Sequence, residues 1–245
     1  MVYKAEKIVP FELSDSSKSI QIEQMFDEIS VQYDLLNRML SFGLDKYWRR
    51  KGILSLKEFS PRNILDIATG TGDLALEAYY ILKPERITGI DISDKMMEIG
   101  SKKIVKSGLT GIIDFEKQNC ICLQFDSNNF DAAIVAFGIR NFEDLDKGLQ
   151  EIHRVLKQHG CLMILELSSP EYFPMKQLYR IYSRLIPITG QLISRNKAAY
   201  KYLPKSISEF PQNKELAAIL IKNGFSDVEY KKLTGGVCSL YLARK

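Results

Sequence analysis

Residues Asp66–Ala78 read DIATGTGDLALEA, and this stretch decides the predicted fold. The apolar run Ile64–Ala68 has the length and composition of a buried strand, and it leads into the glycine turn Gly70-Thr71-Gly72. A helical pattern begins directly after the turn. The two glycines and Ala75 also satisfy the loose G-x-G-x-x-G/A pattern of dinucleotide-binding enzymes. The stretch therefore predicts a ligand site at the end of the first strand, and the neighbouring residues bear on which ligand it takes.

Strand-like and helix-like segments alternate around and after this turn. The predicted strands are Ile64–Ala68, Ile87–Ile92, Ile112–Lys117, Phe130–Phe137 and Gly160–Leu167. The predicted helices between them are Leu74–Leu82, Asp94–Ser107 and Leu145–Lys157. This order favours an α/β fold, a mostly parallel sheet with helices on both faces. A last helix, Lys214–Lys222, precedes the runs Val228–Leu233 and Val237–Ala243, whose glycine-containing linker predicts a hairpin at the end of the sheet.

Two segments fall outside this alternation. From Ile20 onward, apolar residues recur at helical spacing, which predicts a helical N-terminal cover over about residues 20–58. Residues 1–19 show no clear period and are predicted to form a loose arm. The segment 169–210 is basic and aromatic and is interpreted as an insertion. A chain of 245 residues has the length of one sizeable domain, so we expect a single domain over residues 1–245 that carries both additions.

Composition excludes several classes of protein. The chain is 45% hydrophobic and 26% charged, which is typical of soluble globular proteins. The N-terminal stretch MVYKAEKIVPFELSDSS lacks the apolar core of a signal peptide, and the longest apolar run is far shorter than the roughly 20 residues that span a bilayer. The four cysteines are scattered and there are two histidines, so zinc-ligand spacing is absent and no metal is expected. These features predict a cytoplasmic, metal-free protein.

Two acidic residues bear on which ligand the glycine turn accepts. Asp73 directly follows Gly72, where a pyrophosphate would lie, and a carboxylate beside two phosphates is unfavourable in a partly buried site. A ligand with ammonium and sulfonium groups, S-adenosyl-L-methionine, reverses that sign. Asp91 ends the second strand and can accept both ribose hydroxyls, but dinucleotide enzymes use the same device. The residues favour S-adenosyl-L-methionine, while a dinucleotide and a non-enzymatic site in which Asp73 only caps its helix remain alternatives.

The third strand is followed by Asn119-Cys120, which could reach an adenine ring with an amide or a backbone donor. A simple turn is the alternative. Gly70, Thr71, Asp73 and Asp91 complete the predicted cofactor-binding set.

With these segments placed, the chain resembles the ubiquinone/menaquinone biosynthesis C-methyltransferase family (UbiE/MenG type) from about Met25 to the C-terminus. The stretches that carry the resemblance are YDLLNRMLSFGLDKYW (33–48), DIATGTGD (66–73), AFGIRNFED (136–144), RVLKQHGCLMILELS (154–168), AAYKYLPKSI (198–207) and LTGGVCSLYLARK (233–245). Glycine turns are generic to methyltransferases, whereas the first, third and fifth stretches in this order are specific. Asp45 departs from the family pattern, which often has histidine there.

The resemblance implies a class I S-adenosyl-L-methionine-dependent methyltransferase fold, which is Rossmann-like with a C-terminal antiparallel hairpin. It implies C-methylation of a polyprenylated demethylquinol, with demethylmenaquinol favoured over the benzoquinol of the ubiquinone pathway. Thr71, Asp91 and the Asn119-Cys120 pair match the positions that contact the cofactor in the family. A methyltransferase acting on another small molecule remains the alternative.

Methylation of a quinol ring carbon requires the neighbouring phenol to ionise. Arg140 follows the fourth strand in FGIRNF and stays protonated, so we expect it to stabilise the phenolate, while Asn141 orients the ring. The alternative is that Arg140 pairs with Glu143 or Asp144 as a loop clamp. Tyr33 and Asn37 share one helical face and are candidate substrate-lining residues, with helix packing as the other interpretation. No residue is assigned as the proton acceptor.

The basic segment bears on the partners. Seven cations and one anion lie between Ser169 and Lys205, so this stretch carries +6 and the remainder −2 of the net +4. The cations are Lys176, Arg180, Arg184, Arg195, Lys197, Lys201 and Lys205. Together with the tyrosines of this segment they predict peripheral contact with the inner face of a membrane, where a lipophilic quinol resides, and a lid with a solvated basic face is the alternative. No nucleic-acid partner is expected, and a homodimer is left open.

Overall fold

The computed structural model describes the backbone of residues 2–193 and 197–245, and the side chains of residues 2–184 and 198–245. A seven-stranded sheet runs through the molecule in the order β3-β2-β1-β4-β5-β7-β6. The strands are β1 Asn63–Ile67, β2 Arg86–Asp91, β3 Ile113–Lys117, β4 Phe130–Ala136, β5 Leu156–Leu167, β6 Ser226–Leu233 and β7 Cys238–Arg244. Strands β1 to β5 pair in parallel, and β7 runs antiparallel to both β5 and β6. The prediction of a mostly parallel sheet that ends in an antiparallel hairpin is confirmed.

The helices of the described residues are α1 Lys18–Leu40, α2 Leu44–Leu54, α3 Asp73–Leu82, α4 Asp94–Lys106, α5 Leu145–Val155, α6 Met175–Ile193, α7 Lys197–Glu209 and α8 Lys214–Lys222. Short 3-10 turns lie at Lys4–Lys7, Lys57–Phe59, Ile139–Asn141 and Thr234–Gly236. Within the part of the chain that the structure describes, no helix combines the length and the apolar character that a membrane span requires.

The central strands are buried on both faces, which is why they read as continuous apolar runs. Ile64 of β1 packs into one core layer and its neighbour Leu65 into the other, and both are fully buried. Strand β1 lies between β2 and β4, so the chain reverses its direction of winding beside β1. In such sheets a crevice opens beyond the carboxyl ends of the strands at this switch point. The glycine turn follows β1 directly and therefore lies in that crevice.

The prediction of a loose N-terminal arm is wrong for residues 3–11, which pack on the fold, whereas residues 12–17 are exposed as expected. Ala5 is buried, the Tyr3 hydroxyl donates to Asp146 Oδ1 (3.0 Å), and Glu6 accepts a hydrogen bond from the Leu145 backbone N–H (2.8 Å). The arm thus packs on the start of α5. Sequence periodicity did not reveal this, because single residues anchor the arm to a helix more than a hundred positions away.

Helices from both ends of the chain cover the carboxyl edge of the sheet. Ile22, Met25 and Ile29 of α1 pack against Ala199 and Tyr202 of α7 in one apolar cluster. The N-terminal cover and the basic insertion therefore meet above the crevice, although more than 150 residues separate them in sequence.

Candidate active site

Three adjoining cavities occupy the crevice, and Tyr33 and Phe137 line all three. The glycine-loop cavity, about 670 Å³, lies between the glycine turn, the end of β2 and the loop after β4. The apolar cavity, about 1020 Å³, lies under α1, α6 and α7. The acidic cavity, about 450 Å³, lies between α1, α2 and the glycine turn. Two aromatic side chains thus stand where the three spaces meet.

Asp91 is held at the rim of the glycine-loop cavity by the backbone. Its Oδ2 accepts a hydrogen bond from Gly70 N–H (2.8 Å) and its Oδ1 accepts one from Ser93 N–H (2.9 Å). Burial raises the pKa of Asp91, and these backbone donors oppose that shift. Each carboxylate oxygen retains further acceptor capacity, so the predicted pairing with two ribose hydroxyls fits this geometry.

Glycine is required where the turn meets helix α4. Gly72 has a φ of 75°, and a Cβ there would lie 2.8 Å from the Phe115 ring. A Cβ on Gly100 of α4 would lie 2.6 Å from the same ring and 3.0 Å from the Thr71 carbonyl carbon. The turn is therefore packed closely between β3 and α4. Because its glycines carry no side chains, its backbone can approach a ligand closely.

Asp73 begins helix α3 directly after the glycine turn, as the sequence predicts. It lines the acidic cavity and not the glycine-loop cavity, and its carboxylate is paired with Lys103 Nζ (2.7 Å) and Arg49 Nη2 (3.1 Å). Burial alone would raise the pKa of Asp73, but Arg49 and Lys103 outweigh it and the pKa is lowered. Because two cations offset its charge, Asp73 discriminates against phosphate less strongly than the sequence predicts.

Asp66, which reasoning from the sequence did not single out, is a second carboxylate beside the glycine turn. It is buried in the wall of the acidic cavity, and its Oδ2 accepts a hydrogen bond from the Thr69 hydroxyl (2.6 Å). Its Oδ1 has no hydrogen-bond partner among the described residues. Burial raises the pKa of this carboxyl to about 7. An unpartnered carboxylate oxygen beside the glycine turn suits an ammonium group and opposes a phosphate, so the donor set fits S-adenosyl-L-methionine.

The remaining predicted cofactor residues, Asn119, Cys120 and Thr71, line two different cavities. Asn119 and Cys120 line the glycine-loop cavity. The Asn119 amide is partly engaged, since its Nδ2 donates to Ser19 Oγ (3.1 Å) and its Oδ1 accepts from Ile121 N–H (3.2 Å). Burial raises the pKa of the Cys120 thiol, which makes it an apolar wall. Thr71 turns its hydroxyl to Asp34 of α1 (2.6 Å) and lines the acidic cavity.

Arg140 lies in the wall of the apolar cavity, with a side chain that is 7% exposed. Its Nη1 donates to Glu166 Oε1 of β5 (2.7 Å) and to the Phe137 carbonyl (2.5 Å). Burial alone would lower the pKa of Arg140, but the Glu166 carboxylate outweighs it and the pKa is raised. The loop-clamp alternative is wrong about the partner, because the ion pair reaches across to β5 and not to Glu143 or Asp144.

Asn141 lines the glycine-loop cavity, and its Oδ1 accepts a hydrogen bond from the Tyr202 hydroxyl of α7 (2.9 Å). Asn37 of α1 lines both the apolar and the acidic cavity, one helical turn from Tyr33. Burial raises the pKa of Tyr33, so its hydroxyl stays neutral. Tyr33 and Asn37 therefore lie where cavities adjoin, whereas Arg140 lines the apolar cavity and Asn141 the glycine-loop cavity.

The family model described as the ubiE/COQ5 methyltransferase family matches residues 14–245 of this chain. The chain belongs to the ubiE/COQ5 methyltransferase family. It is 52% identical over 246 residues to a protein of Bacteroides fragilis named demethylmenaquinone methyltransferase, and the match covers both chains completely. It is 41% identical to a protein of Geotalea daltonii named ubiquinone/menaquinone biosynthesis C-methyltransferase UbiE, covering 96% of this chain and 100% of that one.

Solved structures show the same fold at low sequence identity. The [4+2]-cyclase SpnF superposes with a TM-score of 0.69 at 17% identity, covering 95% of this chain and 97% of that one. A SAM-dependent methyltransferase of Thermotoga maritima superposes with a TM-score of 0.65 at 20% identity, covering 91% and 99%. The predictions of the family, of a class I methyltransferase fold and of S-adenosyl-L-methionine as methyl donor are confirmed.

Several residues that line the site in this family member were not predicted from the sequence. Ile92, Met96, Gln118 and Phe137 contribute to the glycine-loop cavity. Ile92 directly follows Asp91, and Phe137 directly follows β4, so the rule that ligands lie beyond strand ends could have found both. Glu166 and Tyr202 gave no such signal, because each acts through one long-range contact.

Proposed function

We propose that this protein methylates a ring carbon of a polyprenylated demethylquinol, with demethylmenaquinol as the substrate. The observation that carries the proposal is that Tyr33 and Phe137 line both a large apolar cavity and the glycine-loop cavity, so the two spaces adjoin. The names of the relatives that match over the whole chain support the same substrate class.

Three groups of the chain would hold the cofactor. Asp91 accepts the ribose hydroxyls, the backbone of Gly70 permits close approach, and Asp66 with its unpartnered oxygen receives the ammonium group. When bound, S-adenosyl-L-methionine supplies an electrophilic methyl group. The apolar side chains of Ile92 and Met96 complete the wall of the glycine-loop cavity and exclude water from it.

The apolar cavity suits a ring that carries an isoprenoid tail. Its walls come from α1, α2, α6, α7 and the carboxyl edge of the sheet, and aliphatic and aromatic side chains together dominate them. The larger aliphatic residues are Met25, Ile29, Leu36, Leu40, Leu167, Leu203, Ile207 and Val237. A polyprenyl chain buried there leaves water without loss of hydrogen bonds, so the tail anchors the ring at the junction.

Arg140 activates the ring in this proposal. A phenol whose pKa is near 10 must lose about 3 units to ionise at neutral pH, which corresponds to about 4 kcal/mol. A guanidinium in a water-poor wall can provide stabilisation of this size. Glu166 and the Phe137 carbonyl accept from Nη1, so the other N–H groups of the guanidinium are the donors that remain for a ring oxygen.

Glu166 and Tyr202 position the reacting groups. Glu166 accepts hydrogen bonds from the side chain and, at 3.3 Å, from the backbone N–H of Arg140, so it fixes the guanidinium against the cavity. Tyr202 holds the Asn141 carbonyl oxygen, which leaves the Asn141 amide N–H groups to orient the second ring oxygen.

The same proposal includes peripheral contact with the inner face of a membrane. A substrate with a long isoprenoid tail resides in lipid, and the apolar cavity lies beneath helix α6. Lys176, Arg180 and Arg184 of that helix are exposed, as contact with anionic headgroups requires.

The experiment that tests the reaction uses the purified protein with methyl-labelled S-adenosyl-L-methionine and short-tailed demethylated naphthoquinols and benzoquinols. From the naphthoquinol we expect a product in which a labelled methyl group has replaced a ring hydrogen, released as a proton. Mass spectrometry identifies it by the gain of one labelled CH2 unit and by the position of the label on a ring carbon. Methylation on oxygen, or turnover restricted to unrelated small molecules, would contradict the proposed substrate. Calorimetric titration with NADH serves as the negative control for the cofactor site.

A further inference from the structure

Helix α1 presents a row of large apolar side chains to solvent. Val31, Leu35 and Met39 repeat every four residues, and Phe42 follows in the turn after the helix. Their exposed fractions run from 48% at Met39 to 83% at Val31. Residues four apart lie on the same face of an α-helix. Large exposed apolar patches are rare on monomeric proteins and usually mark a surface that binds another protein or a membrane. The apolar stripe of α1 is therefore a candidate binding surface.

Helix α6 extends this surface. Leu178 and Ile181 are exposed by 56% and 60%. The two helices are in direct contact, since the Tyr182 hydroxyl donates to the Leu40 carbonyl and the rings of Tyr182 and Phe42 lie 5.9 Å apart. We call the exposed residues of this pair the apolar face. It comprises Val31, Leu35, Met39, Phe42, Leu178 and Ile181.

The inner side of the same helix pair lines the apolar cavity. Leu36 and Leu40 of α1 and Tyr179 and Tyr182 of α6 contribute to its wall. The pair is therefore apolar on both sides, with the proposed substrate cavity beneath it and solvent above it. Such a thin apolar wall is what a lipid tail would cross between a bilayer and the cavity.

Cations flank the α6 part of the apolar face, whereas the α1 part has mixed charge, with Glu28 exposed and Asp34 half-buried near Val31. Arg38 of α1 and Lys176, Arg180 and Arg184 of α6 are exposed, and the sequence of α6 contains no acidic residue. Two copies paired through this face would bring like charges together, which disfavours a symmetric dimer. The same charges complement anionic lipid headgroups. The charge pattern therefore selects a bilayer as the occupant.

We propose that the apolar face inserts into the interface of an anionic bilayer and that the quinol passes between α1 and α6 into the apolar cavity. This inference rests on the proposed function and names the surface it uses. It differs from the expectation based on sequence, which assigned lipid contact to the cations and the tyrosines of the basic segment. Tyr179 and Tyr182 turn inward, and α1, outside that segment, supplies three of the six inserting side chains, with Phe42 in the turn after it. Arg195 lies outside the described residues.

The first test is vesicle co-sedimentation with phosphatidylglycerol–phosphatidylcholine vesicles and with phosphatidylcholine alone. We expect the wild type to bind the anionic vesicles, and the triple variant Met39→Ser, Phe42→Ser and Ile181→Ser to bind at least about tenfold more weakly. A matched control, Leu13→Ser, Val105→Ser and Ile221→Ser, removes exposed apolar side chains elsewhere and should bind as the wild type does. Neutralising Lys176, Arg180 and Arg184 should reduce binding by about a hundredfold at low salt.

A second readout separates this inference from the proposed reaction. With a short-tailed demethylquinol in detergent, the test variant should turn over as fast as the wild type. None of its three positions lines any of the three cavities of the crevice. With a long-tailed demethylquinol in vesicles, it should lose most of its rate. If the wild type methylates neither substrate, the proposed function fails. The sedimentation experiment still tests whether the apolar face binds anionic vesicles.

Three outcomes would overturn the inference. The wild type could fail to bind anionic vesicles, or the control triple variant could lose as much binding as the test variant. Alternatively, light scattering could show a concentration-dependent dimer that the test variant abolishes, which would make a second copy the occupant.

Discussion

Arg140 and Glu166 form a buried ion pair whose two members are separated by 26 residues in sequence. Removing the arginine alone would leave a buried carboxylate without its partner, at a cost of about 3–5 kcal/mol, and would confuse loss of fold with loss of catalysis. The informative change at this site therefore removes both charges together.

For the double variant Arg140→Met, Glu166→Gln we expect kcat to fall by about a thousandfold, because roughly 4 kcal/mol of phenolate stabilisation is lost. Binding of S-adenosyl-L-methionine, followed by calorimetry, should stay unchanged. A double variant with the kcat of the wild type would remove Arg140 from the mechanism.

Asp66 links cofactor binding to pH. Burial raises the pKa of this carboxyl to about 7, and only its ionised form attracts an ammonium group. Affinity for S-adenosyl-L-methionine should therefore rise as the pH increases from 6 to 7.5, which calorimetry at fixed ionic strength measures. Asp66→Asn should bind more weakly at pH 7.5 and lose this dependence. Parallel curves for the two proteins would contradict the assignment.

Lys18 is a buried ammonium that ties three segments together. Its Nζ donates to the carbonyl oxygens of Ala5 (2.8 Å), Phe142 (3.1 Å) and Arg140 (3.3 Å), so it connects the N-terminal arm to the loop that carries Arg140. Lys18→Met leaves these oxygens without their donor. We expect it to lower the free energy of unfolding by about 1–3 kcal/mol at pH 7.

The pH dependence of that difference identifies the ammonium. Burial lowers the pKa of Lys18 from 10.5 to about 8. Between these values the unfolded chain holds a proton that the folded protein has released, so folding stability gains as the pH rises. The stability of the wild type relative to Lys18→Met should therefore increase between pH 7.5 and 9.5 in urea denaturation. A constant difference would show that Lys18 titrates normally.

At the level of elements, the contact between α4 and the glycine turn sets the shape of the cofactor site. A Cβ on Gly100 would lie 3.0 Å from the Thr71 carbonyl carbon and 3.2 Å from its oxygen, both backbone atoms that cannot rotate away. Alanine favours a helix over glycine by about 1 kcal/mol, but overpacking of this kind costs about 1–3 kcal/mol. The steric term therefore outweighs the helix propensity.

Gly100→Ala should consequently lower the free energy of unfolding and weaken binding of S-adenosyl-L-methionine, because the turn must move with the helix. Ser101→Ala, an exposed position on the same helix, is the matched control and should change neither quantity. Chemical denaturation and calorimetry measure the two effects. Unchanged cofactor affinity in Gly100→Ala would show that the turn tolerates the displacement.

At the scale of the whole molecule, the N-terminal arm connects α1 to α5. It contributes the Tyr3 and Glu6 hydrogen bonds, the buried Ala5 and one acceptor for Lys18. Removal of residues 2–13 should lower the free energy of unfolding by about 2 kcal/mol, and hence Tm by roughly 4–8 °C for a chain of this size. Scanning calorimetry measures the shift.

Leu13→Ser is the control for the truncation, since Leu13 is fully exposed and its change should leave Tm unaltered. A truncated protein with an unaltered Tm would mean that the arm contributes nothing to the free energy of unfolding. The family match begins at residue 14, so the truncated chain retains every position by which the family is recognised.

The amino-acid sequence by itself determined the order and type of the elements that form the sheet. Helix α3, strand β2 and the terminal hairpin lie within a few residues of their predicted bounds. Local signals suffice there, because strand and helix periodicity and turn chemistry act over short stretches of chain. The glycine turn and Asp91 follow from the same signals, since ligands bind beyond the carboxyl ends of parallel strands.

Only the tertiary structure decided how charges pair and which helix faces stay exposed. It neutralised Asp73 with Arg49 and Lys103, paired Arg140 with Glu166, and set the Tyr202 hydroxyl on Asn141, 61 residues away. It also turned one side of α1 to the cavity and left the other apolar side in solvent. The physical reason is that these outcomes depend on contacts between distant segments, and local periodicity carries no information about which distant side chain fills a given space.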